Sequence, residues 1–215
     1  MQGLIARLWQ DWSCWRLTGR LTSEKEKMTL FKDLQRAWAD VTLDPETAQN
    51  ALTLSEDGKR VRLGGGQRLM DNPQQFNSEY CVVGREGFTS GRHYWMVAGN
   101  DWCRIGVTRE SAQRRGEFSF TPQQGYWCLE FDYSHFSALT DPETPLPQTP
   151  LPRKLGVCVD IEERRVSFYT VESRAHIYTF TDMKFTEGEK IYPVFWTKEF
   201  HKDTVILSPL RSLNQ

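Results

Sequence analysis

The rhythm of apolar and polar positions changes near Asp40. Before it, Met28, Phe31, Leu34 and Trp38 recur at the three- and four-residue steps of one helix face. Ser23 and Glu26 ahead of them form a capping box, in which a hydroxyl and a carboxylate each satisfy a free backbone N–H. An earlier apolar stripe, Leu4, Ile5, Leu8, Trp9 and Trp12, is set off from the second by Gly19. Short α-helices are therefore expected over residues 1–39. From Val41 onward, strings of β-branched and aromatic residues alternate with polar ones. Arg92–Val97, Tyr126–Phe131, Leu155–Asp160, Arg165–Tyr169, His176–Phe180, Ile191–Trp196 and Thr204–Leu207 are predicted strands, and Asp160–Arg164 is the turn of a hairpin. Many short strands with no helical pattern between them indicate an antiparallel sandwich or barrel. Gly64–Gly66 and the Pro-rich stretch Asp141–Pro152 are expected loops. No repeat of propeller or solenoid length is present.

Composition narrows the function classes. Aromatic residues are 13% of the chain and the net charge is −1, which excludes a disordered chain and argues against a nucleic-acid binder. At 215 residues one domain fits and no metal or disulfide staple is needed. No apolar run is long enough to span a bilayer, and Arg7, Gln10 and Asp11 interrupt the first residues too early for a secretory leader. The 5 cysteines are odd in number, widely spaced and set in apolar strings, as free thiols of a reducing compartment would be. The expected setting is cytoplasmic. The balanced charge also conceals a division, +3 over residues 1–38 against −4 over the rest, through which the two parts could attract each other.

Several strings then name a family. Val41–Ala48 followed by Leu52–Asp57 resembles the opening of a PRY-SPRY domain. Phe88-Thr89-Ser90-Gly91-Arg92-His93-Tyr94-Trp95 is similar to that family's F-x-S-G-x-H-Y-W motif. Ile105-Gly106-Val107, Gly125-Tyr126-Trp127, Gly156-Val157 with Asp160, Val166–Tyr169 and Tyr192–Phe195 follow in the family's order. The resemblance is to the domain of tripartite-motif (TRIM) proteins and butyrophilins. It implies an all-β fold, a bent two-sheet antiparallel β-sandwich over residues 40–210, preceded by the helical segment 1–39. It also implies a non-enzymatic module that binds a protein partner through loops at one end, with roles in ubiquitination or innate immune regulation. No Cys-x-x-Cys or Cys/His cluster offers a zinc site, so the chain reads as the targeting module, without RING or B-box, on a stub of helical linker.

The candidate partner-binding residues come from three places. Arg104 falls on the family's ligand-facing position before the Ile-Gly-Val strand, and Trp102 stands just ahead of it. On the strand after Gly-Tyr-Trp, period-2 alternation turns Glu130 and Asp132 outward and Phe131 inward. The late loop supplies Trp196, Lys198, Phe200 and His201, a mixture of aromatics and cations that suits a binding rim. The competing expectation is a sensor of a small phosphorylated metabolite, butyrophilin-like, in which Arg104, Lys198, His201 and Lys202 converge; Glu130, Asp132 and Glu199 would repel that anion. No cofactor, metal or catalytic residue is expected, since no nucleophile elbow occurs and Asp160, Glu162 and Glu163 read as a solvated turn. Trp95, Trp127, Phe168 and Tyr169 are expected in the core, and His93 as a hydrogen-bonded structural residue. Pro142, Pro145, Pro147, Pro150 and Pro152 stiffen a connection that an SH3 domain could also read. Trp9, Trp12 and Trp15 suit a docked helix better than a membrane-surface one, and residues 23–38 suggest a coiled-coil stub able to self-associate.

Overall fold

Alternation along the strands sorts their side chains into two layers. The computed structural model describes residues 24–65, 72–147 and 151–208. Among the described residues one α-helix, α1 (Glu24–Arg36), precedes thirteen strands: β1 (Leu52–Leu54), β2 (Arg60–Leu63), β3 (Cys81–Val83), β4 (Arg92–Ala98), β5 (Trp102–Arg109), β6 (Tyr126–Asp132), β7 (His135–Ala138), β8 (Thr144–Pro145), β9 (Lys154–Asp160), β10 (Arg165–Thr170), β11 (His176–Phe180), β12 (Ile191–Thr197) and β13 (Thr204–Leu207). They form a 7-stranded antiparallel sheet, in the order β1-β2-β13-β4-β9-β10-β11, and a 6-stranded one, β3-β12-β5-β6-β7-β8. This is the expected two-sheet sandwich.

The core between the sheets is built from inward positions of both. Val82, Cys103, Ile105, Val107, Trp127, Leu129, Phe131 and Phe195 face Trp95, Val97, Val157, Val159, Val166 and Phe168. Trp95 and Phe168 are 0% exposed and Trp127 1%, so these aromatics are core, as their strand-interior positions foretold. Tyr169 is also buried, but on the opposite face of its sheet, among the residues that meet α1. A further apolar layer covers the outer face of the 6-stranded sheet. There Phe76, Phe120, Tyr126, Cys128, Val194 and Trp196 pack together under the segments 72–80 and 110–124.

Four sequence expectations are corrected. The buried face of α1 is Leu30 and Leu34, with Phe31 half-buried, while Met28 is 39% exposed. Trp38 lies past the helix end and bridges to Tyr94. Leu30 and Leu34 sit on Tyr94, Met96, Cys158 and Tyr169, so the apolar face expected to self-associate is covered by the chain's own sheet. Each leucine contributes roughly 1.5–3 kcal/mol by that burial. Among the described residues β13 pairs with β4 over Met96–Ala98. Next to Tyr94 the edge is instead taken by residues 37–39: Tyr94 N–H donates to the Ala37 carbonyl at 2.7 Å, and Ala39 N–H to the Tyr94 carbonyl at 2.8 Å. The Pro-rich stretch is not loop throughout, since Thr144–Pro145 pairs with β7 at the sheet edge, where a missing N–H costs nothing. Finally, Asp160 is not a solvated turn residue. It is 4% exposed and held by Arg92 and Arg165 from the neighbouring strands. Ser23, the residues ahead of it (Cys14 and the early tryptophans among them), Gly66, Pro150 and Pro209 onward lie outside the described residues.

His93 has the structural role expected of it. Its Nε2 lies 2.8 Å from the Ser90 carbonyl and its ring stacks on Phe88 at 3.9 Å.

Cys81, Cys103, Cys128 and Cys158 are free and buried. Burial raises all four thiols, Cys103, Cys128 and Cys158 to about 12 and Cys81 well above its usual value, so almost no thiolate is present at neutral pH. With Cys14 replaced by serine, the native protein is expected to resist maleimide at neutral pH and to take up label at all four positions in denaturant. Rapid labelling of any one in the native state would show that its cover opens.

Candidate functional site

Three adjacent strands of the 6-stranded sheet bring the candidate residues together. Trp196 on β12, Arg104 on β5 and Glu130 on β6 are register partners in one cross-strand row. Period-2 alternation turns all three side chains to the outer face, away from Cys103, Ile105 and Phe131. Arg104 Nε donates to Glu130 Oε1 at 2.6 Å. The same guanidinium lies 4.4 Å from the centroid of the Trp196 ring and 4.5 Å from that of Phe120. A cation gripped by a carboxylate and two aromatic rings keeps one orientation, and each ring contact stabilises it by about 0.5–2 kcal/mol.

Trp196 is in turn fixed by its indole N–H, which donates to Glu79 Oε2 at 2.9 Å. It is only 6% exposed, so it is the buried foundation of the site rather than its rim. The half-buried Trp102 ring lies against its edge at 6.2 Å, and Lys198 Nζ sits 4.8 Å above the Trp102 ring. Asp132 pairs in register with Trp102 at the end of β6. Thus Trp102, Arg104, Glu130, Asp132, Trp196 and Lys198 share one patch. Phe200 and His201 lie farther along the β12–β13 connection. Phe200 is 57% exposed and stands beside Gly64, where an added side chain would meet its ring at 3.5 Å. His201 is exposed and its N–H donates to Glu199 Oε1.

Two positions that sequence reasoning missed shape this end of the sandwich. Asn100 is 4% exposed and ties two loops together: its amide donates to Thr197 Oγ1 at 2.7 Å and to the Lys202 carbonyl at 3.0 Å, while its Oδ1 accepts from Trp102 N–H at 3.2 Å. It holds Trp102 and the β12–β13 loop in fixed relation. Tyr133, in the β6–β7 turn, is 61% exposed and has φ 47°. A bulky side chain in the left-handed region costs about 1–3 kcal/mol where glycine, asparagine or aspartate would not. Its N–H donates to the Asp101 carbonyl at 2.7 Å and its ring lies 5.8 Å from that of Trp102. The legible signal was an aromatic placed where a tight turn calls for Asn-Gly.

The electrostatics bear on the metabolite alternative. Arg104 spends its charge on Glu130, and Lys202 bonds Asp101 at 3.1 Å. Lys198 lies over an aromatic face. A patch of paired charges around aromatic rings recognises a protein surface better than a compact polyanion, which needs uncompensated cations. Among the described residues no group of His, Cys, Asp and Glu is arranged to hold a metal ion, and no helix is long and apolar enough to cross a membrane.

Comparison with known proteins gives the same outline. The SPRY-domain family model matches residues 92–209, and the model of the SPRY-associated domain, PRY, matches residues 41–88. The chain is 42% identical over 182 residues to butyrophilin subfamily 1 member A1 from Bos taurus, covering 81% of this chain and 34% of that protein. It is 45% identical over 152 residues to butyrophilin subfamily 2 member A2 from Homo sapiens, covering 69% of this chain and 29% of the relative. The chain thus spans about a third of the length of the curated relatives it matches. Among solved structures, the TRIM65 PSpry domain superposes with a TM-score of 0.72 at 23% identity, over 83% of this chain and 95% of that one. The stonustoxin structure superposes with a TM-score of 0.71 at 28% identity, over 81% of this chain and 30% of that one.

Proposed function

The chain belongs to the SPRY-domain family, its PRY segment included, and from that premise we propose that it is a non-enzymatic recognition module that binds a protein partner through one end of its sandwich. The observation that carries the reading is the Arg104 cluster. A cation oriented by Glu130, Trp196 and Phe120 supports a half-buried Trp102 and an exposed Lys198 on strands that cannot shift independently. Rigid aromatic anchors inside a polar rim are what concentrates binding energy at protein interfaces. The exposed Phe200 and His201 extend the same end as a second rim. On this reading the partner is selected by the loops, and the module directs that partner toward ubiquitination or innate immune regulation in the manner of TRIM proteins. The buried, unpaired thiols support a reducing, cytoplasmic setting for the domain.

A Trp102→Ala, Lys198→Glu variant tests this. Affinity capture from cells should recover the wild-type partners at least about ten-fold less well with the variant, a loss of about 1.4 kcal/mol or more. Its melting temperature, measured in parallel, guards against simple unfolding. Retention of every partner by a folded variant would remove the site from this end of the sandwich.

A further inference from the structure

Around the corner from the Arg104 cluster, the loop end of the sandwich opens into a cleft of about 520 Å³. Its walls are the β4–β5 turn, the β6–β7 turn and the approach to β9. Phe131, Tyr133 and Leu151 give it an apolar side, while Arg153, Lys154 and Lys202 line the other. The volume lies within the range of sites that enclose a ligand or a few side chains.

Charge separates this cleft from the neighbouring patch. In the patch, Arg104 has a carboxylate partner. In the cleft, Asp101 is the one acidic residue among those that line it, and Lys202 already bonds it. That leaves the cations of Arg153, which is exposed, and Lys154, which is half-buried, facing the space without a carboxylate of the lining between them. The cleft is therefore electropositive in a domain whose sequence from residue 39 on carries a net charge of −4. The second observation is the strained Tyr133. At φ 47° it holds an aromatic ring at the mouth of the cleft, where a glycine would turn the chain more cheaply.

We propose that this cleft is a second binding site, for a short acidic peptide segment with a carboxylate on Arg153 and Lys154 and an adjacent apolar side chain against Tyr133 and Leu151. A peptide fits better than a compact anion, because half of the lining is apolar. Tyr133 also lies against Trp102, so one extended chain can pass from this cleft onto the Arg104 patch.

The test is selection from a random peptide display library, with the full chain as bait. The wild type should enrich peptides that carry Asp or Glu next to an apolar residue. An enriched peptide should bind an Arg153→Glu, Lys154→Glu variant at least about ten-fold more weakly, and added salt should weaken the wild-type complex. Tyr133→Gly should weaken binding while leaving the melting temperature unchanged or higher, an outcome that a purely structural role for the tyrosine would not produce. The Trp102→Ala, Lys198→Glu variant separates the two sites. If it alone abolishes binding, the peptides occupy the Arg104 patch and the cleft proposal fails. The absence of acidic enrichment, indifference to charge reversal, or full displacement by inorganic phosphate would each overturn it as well.

Discussion

A Gly106→Ala chain is expected to lose about 3 kcal/mol of stability or more, a large part of the 5–15 kcal/mol typical of a domain. Gly106 lies in β5, between β12 and β6, with Val194 and Cys128 as its register partners. A methyl group there would sit 2.1 Å from the Trp127 carbonyl oxygen and 2.7 Å from the Cys128 Cα. Both are backbone atoms, so no rotamer change relieves the clash, and the β5–β6 pairing itself must open. That pairing carries Arg104 against Glu130, so the recognition patch should loosen together with the fold. Gly188→Ala is the matched control. Gly188 has φ 77° but nothing within 4 Å of an added methyl, so this variant pays only the backbone cost, about 1–2 kcal/mol. Urea denaturation of both variants checks the difference. A Gly106→Ala midpoint equal to that of the wild type would mean that β5 and β6 are not packed as described.

The second large effect is expected at Asp160. Its Oδ2 accepts from Arg92 Nη2 at 2.7 Å and Nε at 3.0 Å, and Arg165 Nη2 lies 3.7 Å away. Its Oδ1 accepts from the Glu163 N–H at 3.1 Å, which also sets the hairpin turn. Asp160→Ala removes the carboxylate from between two guanidinium groups and deprives the turn of its acceptor. Truncating a buried ion pair costs about 3–5 kcal/mol, and the partial exposure of both arginines places this case near 3 kcal/mol. Asp160→Asn keeps an acceptor for Glu163 but not the charge, and should fall between the wild type and the alanine variant. An alanine variant as stable as the wild type would show that the pair contributes nothing net.

The strands that sequence reasoning recovered are those whose composition states their environment. β4, β6, β9, β10 and β12 are runs of Val, Tyr, Trp, Phe and Cys, because one or both of their faces are buried. β1, β2, β3, β7 and β8 were not seen, and β1 and β3 are only three residues long. Arg60–Leu63 alternates charge with apolar residues over only four positions, and Thr144–Pro145 is two residues long inside a Pro-rich stretch. The site shows a similar division. Alternation placed Glu130 outward and Phe131 inward, and the resemblance pointed to Arg104. That Arg104 and Glu130 bond each other depends on the register of β5 against β6, which no local pattern encodes. Trp196 was expected to face a partner because it stands beside Lys198 and Phe200 in sequence. Its burial comes from Glu79 and Arg104, both far away along the chain. Asp160 read as a solvated turn residue for the same reason, since Arg92 lies 68 positions away.

The most direct test of the recognition surface is position-specific photocrosslinking in cells. A benzophenone amino acid would replace the exposed Lys198 in one protein, and the exposed Lys32 on α1 or Glu172 after β10 in two others. If the loop end binds the partner, the probe at Lys198 gives a discrete adduct with another protein, the Trp102→Ala change removes it, and the probes at Lys32 and Glu172 give none. Adducts from Lys32 or Glu172 with nothing from Lys198 would place the partner on the helix face or the β10–β11 end of the sandwich and contradict the proposed site.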